Sequence, residues 1–135
     1  MTGIERTEVP IDAPEVVSHV AHWLEAKQII VYAVIHHTQD MRDRGVYPEV
    51  DAWTIIFGKP ELGATFLAET PDIVVDIPLR IGVYQRPGSP SVVIRRRMGE
   101  LLSDHHRPSL DAKSRPADDL IDECIHMLSS ITPHQ

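Results

Sequence analysis

Two β-rich runs, Leu79–Gln85 and Ser91–Arg97, flank the pentapeptide Arg86-Pro-Gly-Ser-Pro90. No other segment restricts the fold as much. Two prolines and a glycine interrupt any ladder and favour reversal, so the runs are expected to form a β-hairpin with a five-residue loop. That loop sets the register. Gln85 faces Ser91, and Arg80 falls opposite Arg96. Side chains alternate across a sheet, so Leu79, Ile81, Val83 and Val93 share one face, the expected core. Arg80, Tyr84, Val92, Ile94 and Arg96 share the other.

The remaining segments build around this hairpin. Ile4–Val9 alternates weakly and reads as a first strand, stopped by Pro10. Val16, Val17, Val20, Trp23 and Leu24 recur at helical spacing, which predicts an amphipathic helix over 13–27. Asp12 is expected to cap it through its carboxylate. Ile29–His36 is almost wholly apolar and reads as a central strand buried on both faces. Thr38–Arg44 suits a short helix ended by Gly45. Asp51–Gly58 suits a strand, and Pro60–Glu69 a helix striped by Leu62, Phe66 and Leu67. Residues 103–116 are polar, carry two prolines, and read as an exposed connection. A last helix over 117–131 is expected to bury Leu120, Ile121, Cys124, Met127, Leu128 and Ile131, with Asp118 and Asp119 favouring its N-terminus.

The expected fold is therefore α+β and two-layered, with an antiparallel sheet packed by helices. Its order is β-α-β(4)-α with small helical insertions. A chain of 135 residues suits one domain, 1–135. The net charge of −7 argues against general binding of nucleic acid or anionic membrane, because both require a cationic surface. The longest apolar run, Ile29–Ile35, is far short of the ~20 residues of a membrane-spanning helix. The opening MTGIERTEVP lacks the apolar stretch of a secretory signal. A single cysteine, Cys124, permits no internal disulfide and suits a reducing, cytoplasmic setting.

Candidate chemistry is sparse. His37 suits proton transfer or pH response, since imidazole titrates near neutrality. It equally suits capping of backbone groups at a strand end. Asp76, just before Pro78, would orient His37 as the carboxylate of an acid–base pair, or would close an Asx-turn. Arg80, Tyr84 and Arg96 form a half-cationic, half-apolar face. Like charges directly opposite call for an anion between them, or the arginines lie solvated over Tyr84. His36 and His37 are adjacent on a strand, so their side chains diverge. His19 with His22, and His105 with His106, lack the number and spacing of zinc ligands. Cys124, at a core position, reads as an inert small hydrophobe. No glycine-rich phosphate loop occurs, so no cofactor is expected.

Three short segments, in order, resemble the Domain of Unknown Function 302 family. Tyr32-Ala-Val-Ile-His-His37 is similar to the family's strand ending isoleucine-aspartate-histidine, and His37 matches its histidine. Thr54-Ile-Ile-Phe-Gly-Lys-Pro60 is similar to its phenylalanine-glycine-asparagine-proline strand end. Asp76-Ile-Pro-Leu-Arg80 is similar to its aspartate-leucine-proline-leucine-lysine segment. The resemblance implies a β-α-β(4)-α fold of the TATA-binding-protein-like type and often a dimer. It implies no activity. The sequence departs from the family at His36, Lys59 and Arg96-Arg-Met-Gly99, which puts in doubt any polar site carried by those positions.

The expected function is non-enzymatic binding of a small anionic or amphipathic ligand, or of a partner protein, by a homodimer. Two alternatives stand beside it. One is an enzyme using His37 and Asp76 as an acid–base pair. The other is a purely structural dimerisation module.

Overall fold

The computed structural model describes residues 3–107 and 111–133. Strand β1 (Ile4–Val9) leads into helix α1 (Ala13–Ala26), then strand β2 (Ile30–His36) and the short helix α2 (His37–Arg42). Strand β3 (Asp51–Gly58) is followed by helix α3 (Pro60–Glu69) and a 3-10 turn (Pro71–Val75). Strands β4 (Leu79–Gln85) and β5 (Ser91–Arg96) form the expected hairpin, and helices α4 (Met98–Asp104) and α5 (Asp111–Ser129) complete the fold. The five strands make one antiparallel sheet in the order β1-β5-β4-β3-β2.

The hairpin register is the one its loop length dictates. Ile81 pairs with Arg95, Val83 with Val93 and Tyr84 with Val92. Continued by one residue, this register sets Arg80 against Arg96. Ile81, Val83 and Val93 lie fully inside, together with Ile55 and Phe57 of β3. Helix α1 covers this face with Val16, Val17, Val20 and Leu24, and α5 covers it with Ile121, Cys124 and Leu128. Both helices repeat their apolar residues every three or four positions, which aligns them in one stripe. A second, smaller cluster of Phe66, Ile73, Met98, Leu101 and Leu102 fills the end of the sheet near Leu79.

Four local expectations are corrected. Strand β2 is an edge strand, not a central one, and its Ile30, Tyr32 and Val34 are 45%, 50% and 44% exposed. An apolar run reports affinity for a sheet, but it does not report how many neighbours the strand acquires. The Asp12 side chain caps nothing in α1. Instead Gln85 reaches over from β4. Its Oε1 accepts from the Ala13 N–H at 2.9 Å, and its Nε2 donates to Asp12 Oδ1 at 2.9 Å. The last helix begins at Asp111 rather than 117, with Pro116 in its second turn. Finally, the stretch read as a connection from 103 starts inside α4, which spans Met98–Asp104. Residues 108–110 of that stretch lie outside the described residues.

The long-range contact that ties α4 to α5 is polar. Asp118 is buried, and its carboxylate accepts from the Met98 N–H at 2.8 Å and the Gly99 N–H at 3.3 Å. It also accepts from Arg95 Nη2 at 2.8 Å. Arg95 lies on the core face, since it shares parity with Val93 and Arg97. Its side chain is wholly buried, and Nη1 donates to Asp122 at 2.6 Å and to Glu5 at 3.2 Å. Arg97 extends the network to the same Glu5 and Asp122. The hydrogen bond to Asp122 raises the already high Arg97 pKa further. Three consecutive arginines thus divide between a buried network and an outer face.

Candidate binding site at the end of the sheet

The turn from β3 into α3 and the turn into β4 meet at one end of the sheet, where Phe57 pairs with Leu79. Pro60 starts α3 because proline suits a first helical turn, where its missing N–H costs nothing. Gly58 allows close approach. A side chain there would bring its first carbon to 3.4 Å from the Tyr32 ring. The Ile77–Pro78 peptide bond is cis.

Between these turns lies a cavity of about 430 Å³. Its floor includes Phe66, Met98 and Leu79, and its rim includes Tyr32, Lys59 and Val74. The two segments Gly58-Lys-Pro60 and Ile77-Pro-Leu79 both line it in full. The lining is almost entirely apolar, so the space favours hydrocarbon over water.

A second cavity of about 270 Å³ adjoins it through Leu79 and holds Asp76, Arg80 and Arg96. The Arg80 side chain makes no hydrogen bond or ion pair with any described residue. Arg96 approaches Asp104 only to 3.8 Å, and both side chains are well exposed. Asp76 is engaged, since its Oδ2 lies 2.6 Å from His105 Nε2. The cationic surface therefore has one guanidinium free and one loosely held, beside a carboxylate that already has a partner.

The other candidates are placed as follows. Tyr84 shares a face with Arg80 and Arg96, but its hydroxyl accepts from Arg6 Nη2 at 2.7 Å. That bond crosses β5 and directs the tyrosine away from the cationic cavity. His37 and Asp76 do not pair. His37 Nε2 lies 2.6 Å from Thr54 Oγ1, whereas Asp76 holds His105. The two sites sit at different heights of the sheet, because Thr54 pairs with Gly82 and Asp76 precedes Leu79 by three residues. The proposed acid–base pair is thus not assembled, and no described carboxylate orients His37.

His36 points to the opposite face and stacks on Trp53 with ring centroids 3.6 Å apart. Its Nε2 lies 2.6 Å from Asp51 Oδ1. His22 bonds the Ser18 carbonyl oxygen within its own helix. Among the described residues no three His, Cys, Asp or Glu side chains converge as metal ligands. Burial pushes the Cys124 thiol up to about 12. Among the described residues no helix is long and apolar enough to cross a membrane.

Two participants escaped sequence reasoning. His105 fell in a stretch read as exposed loop, and only the packing of α4 against the 3-10 turn brings it to Asp76. The apolar cavity is made by residues 32, 58–60, 62–64, 66–67, 74, 77–79 and 98, which no periodicity connects. Its only sequence signal was that all three family-like segments contribute to its lining.

The fold is that of a two-layer α+β domain with a cavity at one end of its sheet. Comparison with known proteins makes the assignment specific. The family model "Domain of unknown function DUF302" matches residues 5–131, and the chain belongs to that family. The crystal structure of the uncharacterized conserved protein DUF302 from Bacillus stearothermophilus superposes with a TM-score of 0.84. It covers 95% of this chain and 99% of its own, at 15% identity, and so shows the shared fold. No match is found among curated proteins.

Proposed function

We propose that this protein is a non-catalytic binding domain for a small amphipathic anion, its apolar tail in the end cavity and its headgroup on Arg80 and Arg96. One observation carries the reading. An apolar cavity of ligand size lies beside a smaller one that bears an unpaired guanidinium, with Leu79 in the wall of both. Arginine suits such a headgroup because its planar fork bonds carboxylate or phosphate oxygens in pairs. Tyr84 has no part in this site, being held by Arg6. His37 and Asp76 are each bonded elsewhere and not to one another, which favours binding over acid–base catalysis. A reducing, cytoplasmic setting suits the single buried thiol.

Isothermal titration with decanoate tests this. Wild type is expected to bind, and the Arg80→Ala/Arg96→Ala protein to lose roughly tenfold or more, as loss of charged hydrogen bonds does. Gly63→Phe is expected to abolish binding without unfolding, because nothing lies within 4 Å of a side-chain carbon placed at Gly63. Absence of any heat or thermal stabilisation with wild type defeats the proposal.

A specific observation also favours a homodimer. The β1 edge carries Glu5, Arg6 and Glu8, charges that discourage edge pairing. The β2 edge has no charged residue before His36, exposes Ile30, Tyr32 and Val34, and continues into exposed Met41, Val46 and Tyr47. An antiparallel neutral strand complements itself across a two-fold axis. A second copy paired along β2 would also adjoin Tyr32 at the cavity rim. Light scattering should give a dimer that Val34→Lys converts to monomer. A wild-type monomer at high concentration excludes it.

A further inference from the structure

We infer that the ligand is a long, single-chain acyl anion whose tail passes beneath α3 from one side of the sheet end to the other. This inference rests on the binding reading above and specifies its ligand. A second apolar cavity, of about 540 Å³, lies on the far side of α3 and is bounded by Ala117 and Leu120 of α5. It shares Gly58, Lys59, Leu62 and Leu79 with the first. With four lining residues in common, Leu62 among them, the two cavities lie back to back across α3. Leu62 itself is only half-buried.

Helix α3 is held in a way that suits a cover. Its one fully buried side chain is Phe66, which anchors it to the 3-10 turn and α4 rather than to the sheet. Gly63, in its second turn, leaves open space where a side chain would otherwise fill the gap. An apolar space kept open on both sides of a lightly anchored helix is shaped for a flexible hydrocarbon chain. A short tail would occupy only the half nearest Arg80 and Arg96. A long one would cross under Leu62 and reach Leu120.

The test is a titration series with octanoate, laurate and palmitate at monomeric concentrations, on the full chain and two variants. Leu120→Trp fills the far half from α5, and Thr65→Trp fills it from α3, so at least one fold-retaining variant is available. In wild type, affinity should rise along the series, by roughly tenfold or more from laurate to palmitate, as methylene burial requires. Either tryptophan should erase that last gain while octanoate affinity stays within about twofold of wild type. Palmitate binding no tighter than laurate, or a gain untouched by both folded variants, overturns the inference. Octanoate binding would then still uphold the amphipathic-anion reading. Failure of all three to bind removes both.

Discussion

Replacing Arg95 with methionine probes the least expected feature of the fold. The substitution keeps the apolar stem and deletes a wholly buried guanidinium. Three carboxylates lose a partner, but unequally. Glu5 and Asp122 are about half exposed and keep Arg97 within 3.1 and 3.3 Å. Their loss is small, because exposed pairs contribute ~1 kcal/mol or less. Asp118 is only 7% exposed at its side chain and would retain its two amide donors from Met98 and Gly99 and the nearby charge of Arg97. Breaking a buried pair costs about 3–5 kcal/mol when the remaining charge is uncompensated. The two amides offset part of that cost, which sets the expectation near ~3 kcal/mol. For a domain of this size each kcal/mol moves the melting temperature by roughly 4 °C, so a fall of about 12 °C is expected. Thermal and urea unfolding followed by circular dichroism read it directly. Arg95→Met/Asp118→Asn should recover part of the loss, because the stranded charge is gone. A melting temperature within about 3 °C of wild type for Arg95→Met would show that the network is not buried as described.

Other outcomes follow from the same packing. Gln85→Ala removes the acceptor for the Ala13 N–H and should cost about 1 kcal/mol, the worth of a helix cap, while Asp12→Ala should cost less because Asp12 caps nothing. Gly82→Ala would place a carbon 2.8 Å from Ile94 Cγ2 and should destabilise by roughly 1–3 kcal/mol, with partial recovery in Gly82→Ala/Ile94→Ala. Cys124 should resist a thiol-reactive reagent at pH 8 until denaturant is added, since burial holds the proton on sulfur. Its native value of about 12 lies above the ordinary 9.0, so unfolding releases that proton as pH rises through this window. Stability should therefore fall from pH 9.0 towards about 12, less steeply in Cys124→Ala if the latter folds.

Parity and turn chemistry alone settled much of this molecule. Arg86-Pro-Gly-Ser-Pro90 compelled the reversal, its length set the register, and alternation then placed Ile81, Val83 and Val93 inside. The same parity assigns Arg95 to the core face. The missing information was that acidic residues of α5 stand above it to neutralise the charge. Local chemistry likewise marked α1, β3 and α3, whose apolar spacing is contained within each segment. What tertiary structure alone decided were relations between segments distant in sequence. These include the edge position of β2, the Gln85 cap, the pairing of Asp76 with His105 instead of His37, and the diversion of Tyr84 to Arg6. The cavity beneath α3 belongs with them. The physical reason is common to all. Short-range periodicity encodes which side of an element avoids water, but hydrogen-bond partners and voids depend on how elements dock, and several dockings satisfy one apolar pattern.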